Sequence, residues 1–332
     1  MTPRAGTYAL AVAMVAGMIA VYVTSFVVAP DTWMRVPAVL LGVLALVGAG
    51  LAIATSSPPA RVRLMDVASA LASTLATFLL ARDLGVEPVV AASLVLVTFG
   101  LAAQPLGLVD GRAARAGFAG AFVGLIGPAV TISWYWVALA GAIAGVLWSL
   151  IGPSVMPGFG GRIGLMAFMG AVAAFTLADL VGDRGNVSLL PVPSEVPTWS
   201  LLPVCAFAAL VTWVLRNRTG LNYATCVGVP TLVISAGIAL APNLGNQGAV
   251  MATAWLGGAA LAGTSLTRLP NAGWVFVAAL LYGCLMMRFT GPYAGHAGVI
   301  GTLAVIAELA TFAARRTLQR VALRLPGKPR VA

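Results

Sequence analysis

The sequence predicts an all-α, polytopic integral membrane helix bundle of about 12 transmembrane helices, arranged as two parallel six-helix repeats. Three observations predict it. First, 60% of the 332 residues are hydrophobic and only 8% are charged, against about 25% charged in a soluble domain. Mean hydropathy is +0.99. Nineteen bases, nine acids and one histidine cannot coat a water-facing surface of this size, which excludes the soluble globular and disordered classes. Second, apolar runs recur at the length a bilayer requires, about 20 residues per helical crossing. Third, the bases alternate between successive links in the way the positive-inside rule demands.

The runs lie at 8–28, 37–55, 66–84, 88–108, 115–130, 132–151, 163–181, 198–215, 222–241, 247–266, 270–289 and 293–314. The first follows Arg4, yet it is long for a signal peptide, and Val28-Ala29-Pro30 is a poor cleavage site, so an uncleaved helix is expected. Only Pro128 and Ser133 separate the fifth run from the sixth. Pro230 predicts a kink in the ninth. The longest polar link, 182–197, carries three prolines and joins the halves. The twelfth run continues into a basic tail over 315–332.

With twelve spans and both termini cytoplasmic, 15 of the 19 bases fall inside: Arg4, Arg61, Arg63, Arg112, Arg115, Arg162, Arg216, Arg218, Arg268 and the six of the tail. Arg35, Arg82, Arg184 and Arg288 fall outside, together with Asp31, Asp83, Glu87, Asp179, Asp183 and Glu195. Merging any two helices would invert every later link and spoil this agreement. The net charge of +10 is therefore a topology signal with a tail suited to anionic lipids, and nucleic-acid binding is rejected. The expected location is the cell inner membrane.

A shift of 156 places Arg112 on Arg268 and Gly117 on Gly273, with seven identities between 99–127 and 255–283. It predicts a duplication: 1–156 as the first repeat, 157–314 as the second. Six helices per unit keep both halves in one orientation. Transporters built from such repeats place their substrate at the repeat interface.

Few residues could carry chemistry. Glu308 is an ionisable group inside the last apolar run, a functional hypothesis in its own right. It could exchange a proton and couple transport to the proton gradient, or be compensated by Arg315 or Arg316. His296, the only histidine, opens the same run beside Tyr293 and could act as a pH-sensitive gate. Gln104-Pro105 and Thr264, Ser265 and Thr267 stand near the inner ends of repeat-related runs, where broken helices could line a cavity. Asn222 opens the ninth run. Arg112, Arg115 and Arg268 at the inner mouth could attract an anionic solute or hold a lipid phosphate.

Cys205, Cys226 and Cys284 sit within apolar runs, without metal-like spacing, so no disulfide, metal or cofactor is expected. No Walker A, HExxH or GxSxG motif occurs, and the polar residues supply no acid–base pair, so no enzyme is expected. The function expected is secondary transport of a small solute, with export the favoured direction and proton coupling through Glu308. The alternative is a non-catalytic transmembrane subunit of a secretion or lipid-handling complex. Membrane lipids and a small-molecule solute are the expected partners, with room for a homo-oligomer or a complex partner.

Overall fold

A computed structural model describes residues 3–23, 35–57, 60–126, 133–183, 198–288 and 298–324. Among them are twelve α-helices and no strand. The helices are α1 (Pro3–Tyr22), α2 (Arg35–Ile53), α3 (Leu64–Arg82), α4 (Pro88–Ala103), α5 (Gly111–Gly124), α6 (Trp134–Ile151), α7 (Arg162–Leu180), α8 (Leu201–Thr219), α9 (Tyr223–Ala239), α10 (Gly245–Leu261), α11 (Ala272–Arg288) and α12 (Val299–Arg324). The fifth and sixth apolar runs are separate helices. Four helices, α3, α6, α7 and α8, are long and apolar enough to cross a membrane. Shorter apolar helices include Pro88–Ala103, Tyr223–Ala239 and Ala272–Met287.

Composition decides how these helices pack. Alanine and glycine dominate the buried positions, and large apolar residues such as Leu40, Val43, Phe207, Val233 and Phe276 are exposed. An aqueous surface rarely carries so much apolar area. Small residues inside let helix backbones meet closely. On α5, Gly120 lies against the backbone of Ala70 on α3; on α10, Gly258 lies against the backbone of Cys205 on α8. Gly145 of α6 reaches Val67 and Ala70 of α3, and Gly283 of α11 reaches Leu202 and Cys205 of α8. Thus α5 and α6 flank α3 as α10 and α11 flank α8.

The clearest correspondence joins α7 to α12. A Cβ on Gly161 would meet Val305 N, Gly301 O and Ala304 C; one on Gly298 would meet Phe168 N, Gly164 O and Ala167 C. Gly298 stands 137 positions after Gly161, and 301, 304 and 305 stand the same distance after 164, 167 and 168. Residue 161 meets 305, 164 meets 301 and 168 meets 298, so the two helices run antiparallel, with Gly164 and Gly301 face to face. Helices α4 and α9 also run antiparallel, Gly100 against Thr225 and Gly228 against Leu96 and Val97. Helix α3 packs broadly on α5 and α6, while α9 packs chiefly on α4 and α10.

Local signals fix the helix starts. The Asp110 carboxylate accepts from the N–H groups of Arg112 and Ala113 and caps α5. Glu87 caps α4 through Val90 N, and Asn222 caps α9 through Thr225 N. Gly220, at φ 66°, ends α8 in the left-handed conformation glycine tolerates. At the end of the bundle away from Asp110 and Asn222, Asp183 accepts from the Tyr135 hydroxyl (2.5 Å) and Trp136 Nε1 (2.7 Å), tying the end of α7 to the start of α6. Those two donors hold its carboxyl below the usual carboxylate range.

Candidate functional site

The link between α6 and α7 builds one side of the site. Met156 takes φ 46° and Gly158 φ 89°, so the chain turns sharply here. A side chain at 158 would strike Ser265 Oγ. Arginine donors hold the turn. Arg162 Nη1 donates to the carbonyls of Val155 (3.1 Å) and Met156 (3.3 Å). Arg268 Nε donates to Pro157 O (3.2 Å), and its Nη2 to Thr55 Oγ1 (2.6 Å). Arg268 also lies over the rings of Phe159 and Phe312. Ser265 N–H donates to Gly158 O (2.7 Å), and Gly160 N–H to Thr264 Oγ1 (3.2 Å). The ends of α6, α7 and α10 are thereby bound together.

Behind this turn lies Glu308, fully buried on α12. Its Oε1 accepts from Gly161 N–H at 3.0 Å, and the Thr264 hydroxyl and Gly160 N–H also face the carboxylate. Gly161 is the residue preceding α7, so the carboxylate sits at the positive end of the α7 dipole. The Arg315 guanidinium goes to Thr267 O instead (3.3 Å), over the Phe312 ring.

In front of the turn is a cavity of ≈ 210 Å³. Three arginines line it: Arg115 of α5, Arg162 of α7 and Arg216 of α8. Arg216 Nη1 donates to the carbonyls of Ala262 (3.2 Å) and Thr264 (3.1 Å), closing the C-terminal end of α10, and its guanidinium lies over the Tyr223 ring. Arg162 lies over Trp148. The Tyr223 hydroxyl donates to Ala260 O.

A second ionic group borders α3. Asp66 is fully buried and pairs with Arg112 Nε at 2.8 Å, while Arg112 Nη2 donates to Ser149 O at 2.6 Å. Arg63 joins Asp66 to Asp110. The Ala113 N–H, followed by the Arg63 guanidinium, holds the Asp110 carboxyl below its usual range.

The residues singled out from sequence therefore part company. Ser265 and Arg115 line the cavity, while Thr264, Arg268 and Glu308 bind the α6–α7 turn and the start of α7 behind its wall. Arg112 belongs to the Asp66 group. Asn222 caps α9 and donates to Gly100 O at 2.6 Å, tying α9 to α4. Gln104 is exposed where α4 ends, away from the cavity. His296 lies outside the described residues. Sequence reasoning passed over Arg162, Arg216 and Tyr223 as site residues. The signal was present in Pro157-Gly158-Phe159-Gly160-Gly161-Arg162, where glycines this dense announce backbone-to-backbone packing beside a charge. Among the described residues no group of three or more His, Cys, Asp or Glu side chains could hold a metal.

The chain matches no family model, no curated protein and no solved structure. The site is read from its own geometry.

Proposed function

We propose that the chain is a multi-pass membrane protein, both termini cytoplasmic, that transports a small solute by alternating access. The observation that carries this reading is the matched contact of Gly161 and Gly298 across antiparallel α7 and α12. It supports a repeat of five helices, α3–α7 followed by α8–α12, in place of the six-helix units expected from sequence identities. An odd number of crossings reverses direction, so the second unit is inverted. Inverted repeats let one sequence hold two conformations, because each half can adopt the arrangement the other now shows. The arginine-lined cavity lies at the end where the bases gather, hence on the cytoplasmic side. It is flanked by helices of both units, as a transport site requires.

Glu308 is the coupling residue in this proposal. Its carboxylate holds the N-terminal end of α7 beside cavity-lining Arg162. Protonation would remove the charge that meets the α7 dipole and would loosen α7 from α12. Coupling then acts through the helix that separates the carboxylate from the cavity.

The test uses Ser265→Cys in a background with Cys205, Cys226 and Cys284 replaced. A membrane-impermeant thiol reagent should modify position 265 from the cytoplasmic face and, more slowly, from the opposite face. Labelling confined to the cytoplasmic face at every pH tried would sink the transport reading in favour of a static subunit of a membrane complex. Termini found on opposite sides would refute the topology.

A further inference from the structure

We infer that the cavity between α5, α7 and α8 is an oxyanion site, built for a phosphate group, with Arg115, Arg162 and Arg216 as its donors. The inference names the substrate class of the proposed transport site and rests on that reading for the word substrate, while binding can be tested without it.

Four features of the cavity lead there. Among the described residues its lining contains three guanidinium groups and no carboxylate. The nearest acid, Glu308, stands behind the wall with Oε1 engaged by Gly161 N–H. The positive charges bear on one another, Arg216 on Arg115 and Arg115 on Arg162. Like charges gathered around one pocket repel, and an anion relieves all three at once. Second, two of the donors are pre-oriented. Arg162 and Arg216 each spend Nη1 on two backbone carbonyls and lie over an aromatic ring. Their Nε–H and Nη2–H edges are left for another acceptor. Third, Arg115 is exposed at the cavity and has no hydrogen-bond partner among the described residues, so it can close on a ligand without breaking a contact. Fourth, the volume suits the ligand: ≈ 210 Å³ is room for about seven waters at ≈ 30 Å³ each. That admits a phosphate with part of its hydration.

Guanidinium forks match an oxyanion in a bidentate manner that a spherical halide cannot use. The geometry therefore favours phosphate over chloride. The same chemistry is offered by free phosphate and by a phosphate monoester headgroup of a lipid, and the experiment separates the two.

The full chain, purified in an uncharged detergent, is titrated with inorganic phosphate replacing chloride at constant ionic strength, and its thermal midpoint is followed. The midpoint should rise saturably with phosphate. Arg115→Gln should weaken the apparent affinity about tenfold or more, whereas exposed Arg218→Gln, two positions beyond Arg216, should leave it unchanged. Arg216→Gln serves as a second variant, scored by affinity because loss of its carbonyl bonds also lowers the starting midpoint. Short-chain phosphatidic acid in the same assay, acting at much lower concentration and with the same arginine dependence, would assign the site to a lipid headgroup; phosphate acting alone would assign it to a soluble anion. A chloride response equal to that of phosphate, or unchanged affinity in both Arg115→Gln and Arg216→Gln, would overturn the assignment. Labelling of Ser265→Cys from both faces, with no phosphate response, would leave transport standing and remove the oxyanion alone.

Discussion

Replacing Glu308 separates two roles that one carboxylate could play. The side chain is fully buried and accepts from Gly161 N–H at 3.0 Å at the start of α7. Glutamine keeps the size and one acceptor oxygen, so Glu308→Gln exchanges a charge-assisted hydrogen bond for a neutral one. The difference between those two kinds of bond is about 1 kcal/mol, with roughly another 0.3–1 kcal/mol from the lost interaction with the α7 dipole. Alanine removes the acceptor altogether. The Gly161 N–H is then left unpaired at about 1–3 kcal/mol, and a cavity opens beside Thr264. A total of about 3–5 kcal/mol is expected for Glu308→Ala. The assay is the thermal midpoint of the purified chain in detergent, read for wild type, Glu308→Gln and Glu308→Ala, beside solute flux at several pH values once a substrate is in hand. The capping account requires a small loss for glutamine and a large one for alanine. Equal losses would refute it, because the charge itself, acting towards Arg162, would then be the stabilising element. The coupling proposal adds that Glu308→Gln abolishes the pH dependence of flux; flux that keeps its pH dependence would remove it.

Three other perturbations probe the rest of the bundle. Gly164→Leu and Gly301→Leu should each destabilise by at least the ~1–3 kcal/mol of an overpacked contact, and by amounts within about 0.5 kcal/mol of each other; thermal midpoints that tolerate one change and not the other would deny the two-fold relation of α7 and α12. Arg112→Gln should cost about 3–5 kcal/mol because it removes the close partner of the fully buried Asp66 and leaves only Arg63 at 4.0 Å, and adding Asp66→Asn should recover part of that loss in the same measurement. Asp183→Ala should lower the midpoint near neutral pH. A depressed carboxyl stabilises the fold above its unfolded pKa of about 3.9 and loses that contribution as pH falls through its folded value. The gap between wild type and Asp183→Ala should therefore narrow below about pH 4, and a gap that widens in acid would contradict the Tyr135 and Trp136 bonds.

The helices were legible because a single physical quantity, the length of an apolar run, sets both their number and their place. The third run, read as 66–84, is the helix Leu64–Arg82; the seventh, read as 163–181, is Arg162–Leu180. Even the weak division at Pro128 and Ser133 separates two helices, α5 and α6. The site was less legible, since it depends on which helix ends meet. Arg162 and Arg216 read as topology charges, and so they also are, but α8 and the α6–α7 link bring them to one cavity. Asn222 read as a pathway residue because it is polar near an apolar run; in the structure it caps α9 and donates to Gly100 O. Asp66 was hidden by opening the third run, 66–84, where only the three-dimensional partner Arg112 shows it to be buried and paired. The five-helix repeat we propose was not legible for a related reason. Identity favours a shift of 156, whereas the proposal rests on close contacts at Gly161 and Gly298, where the absence of a side chain matters and the neighbours' identities do not.

That packing also says where the two proposed conformations would differ. At the crossing of α7 and α12 backbone meets backbone through Gly161, Gly164, Gly298 and Gly301. With no interlocking side chains at these points, the pair can rock without a rotamer having to jump. The contacts that would oppose rocking lie at the arginine-rich end: Glu308 on Gly161, Arg268 on Pro157 and Thr55, and Arg216 on the end of α10. All are polar bonds that water could replace when that end opens, at a cost greatest for the fully buried Glu308. An anion among Arg115, Arg162 and Arg216 would strengthen this closure by drawing α5, α7 and α8 together, and protonation of Glu308 would weaken it by releasing α7. In the proposed mechanism solute and proton would thus act with opposite sign on the same helix, the arrangement by which an antiporter exchanges one for the other.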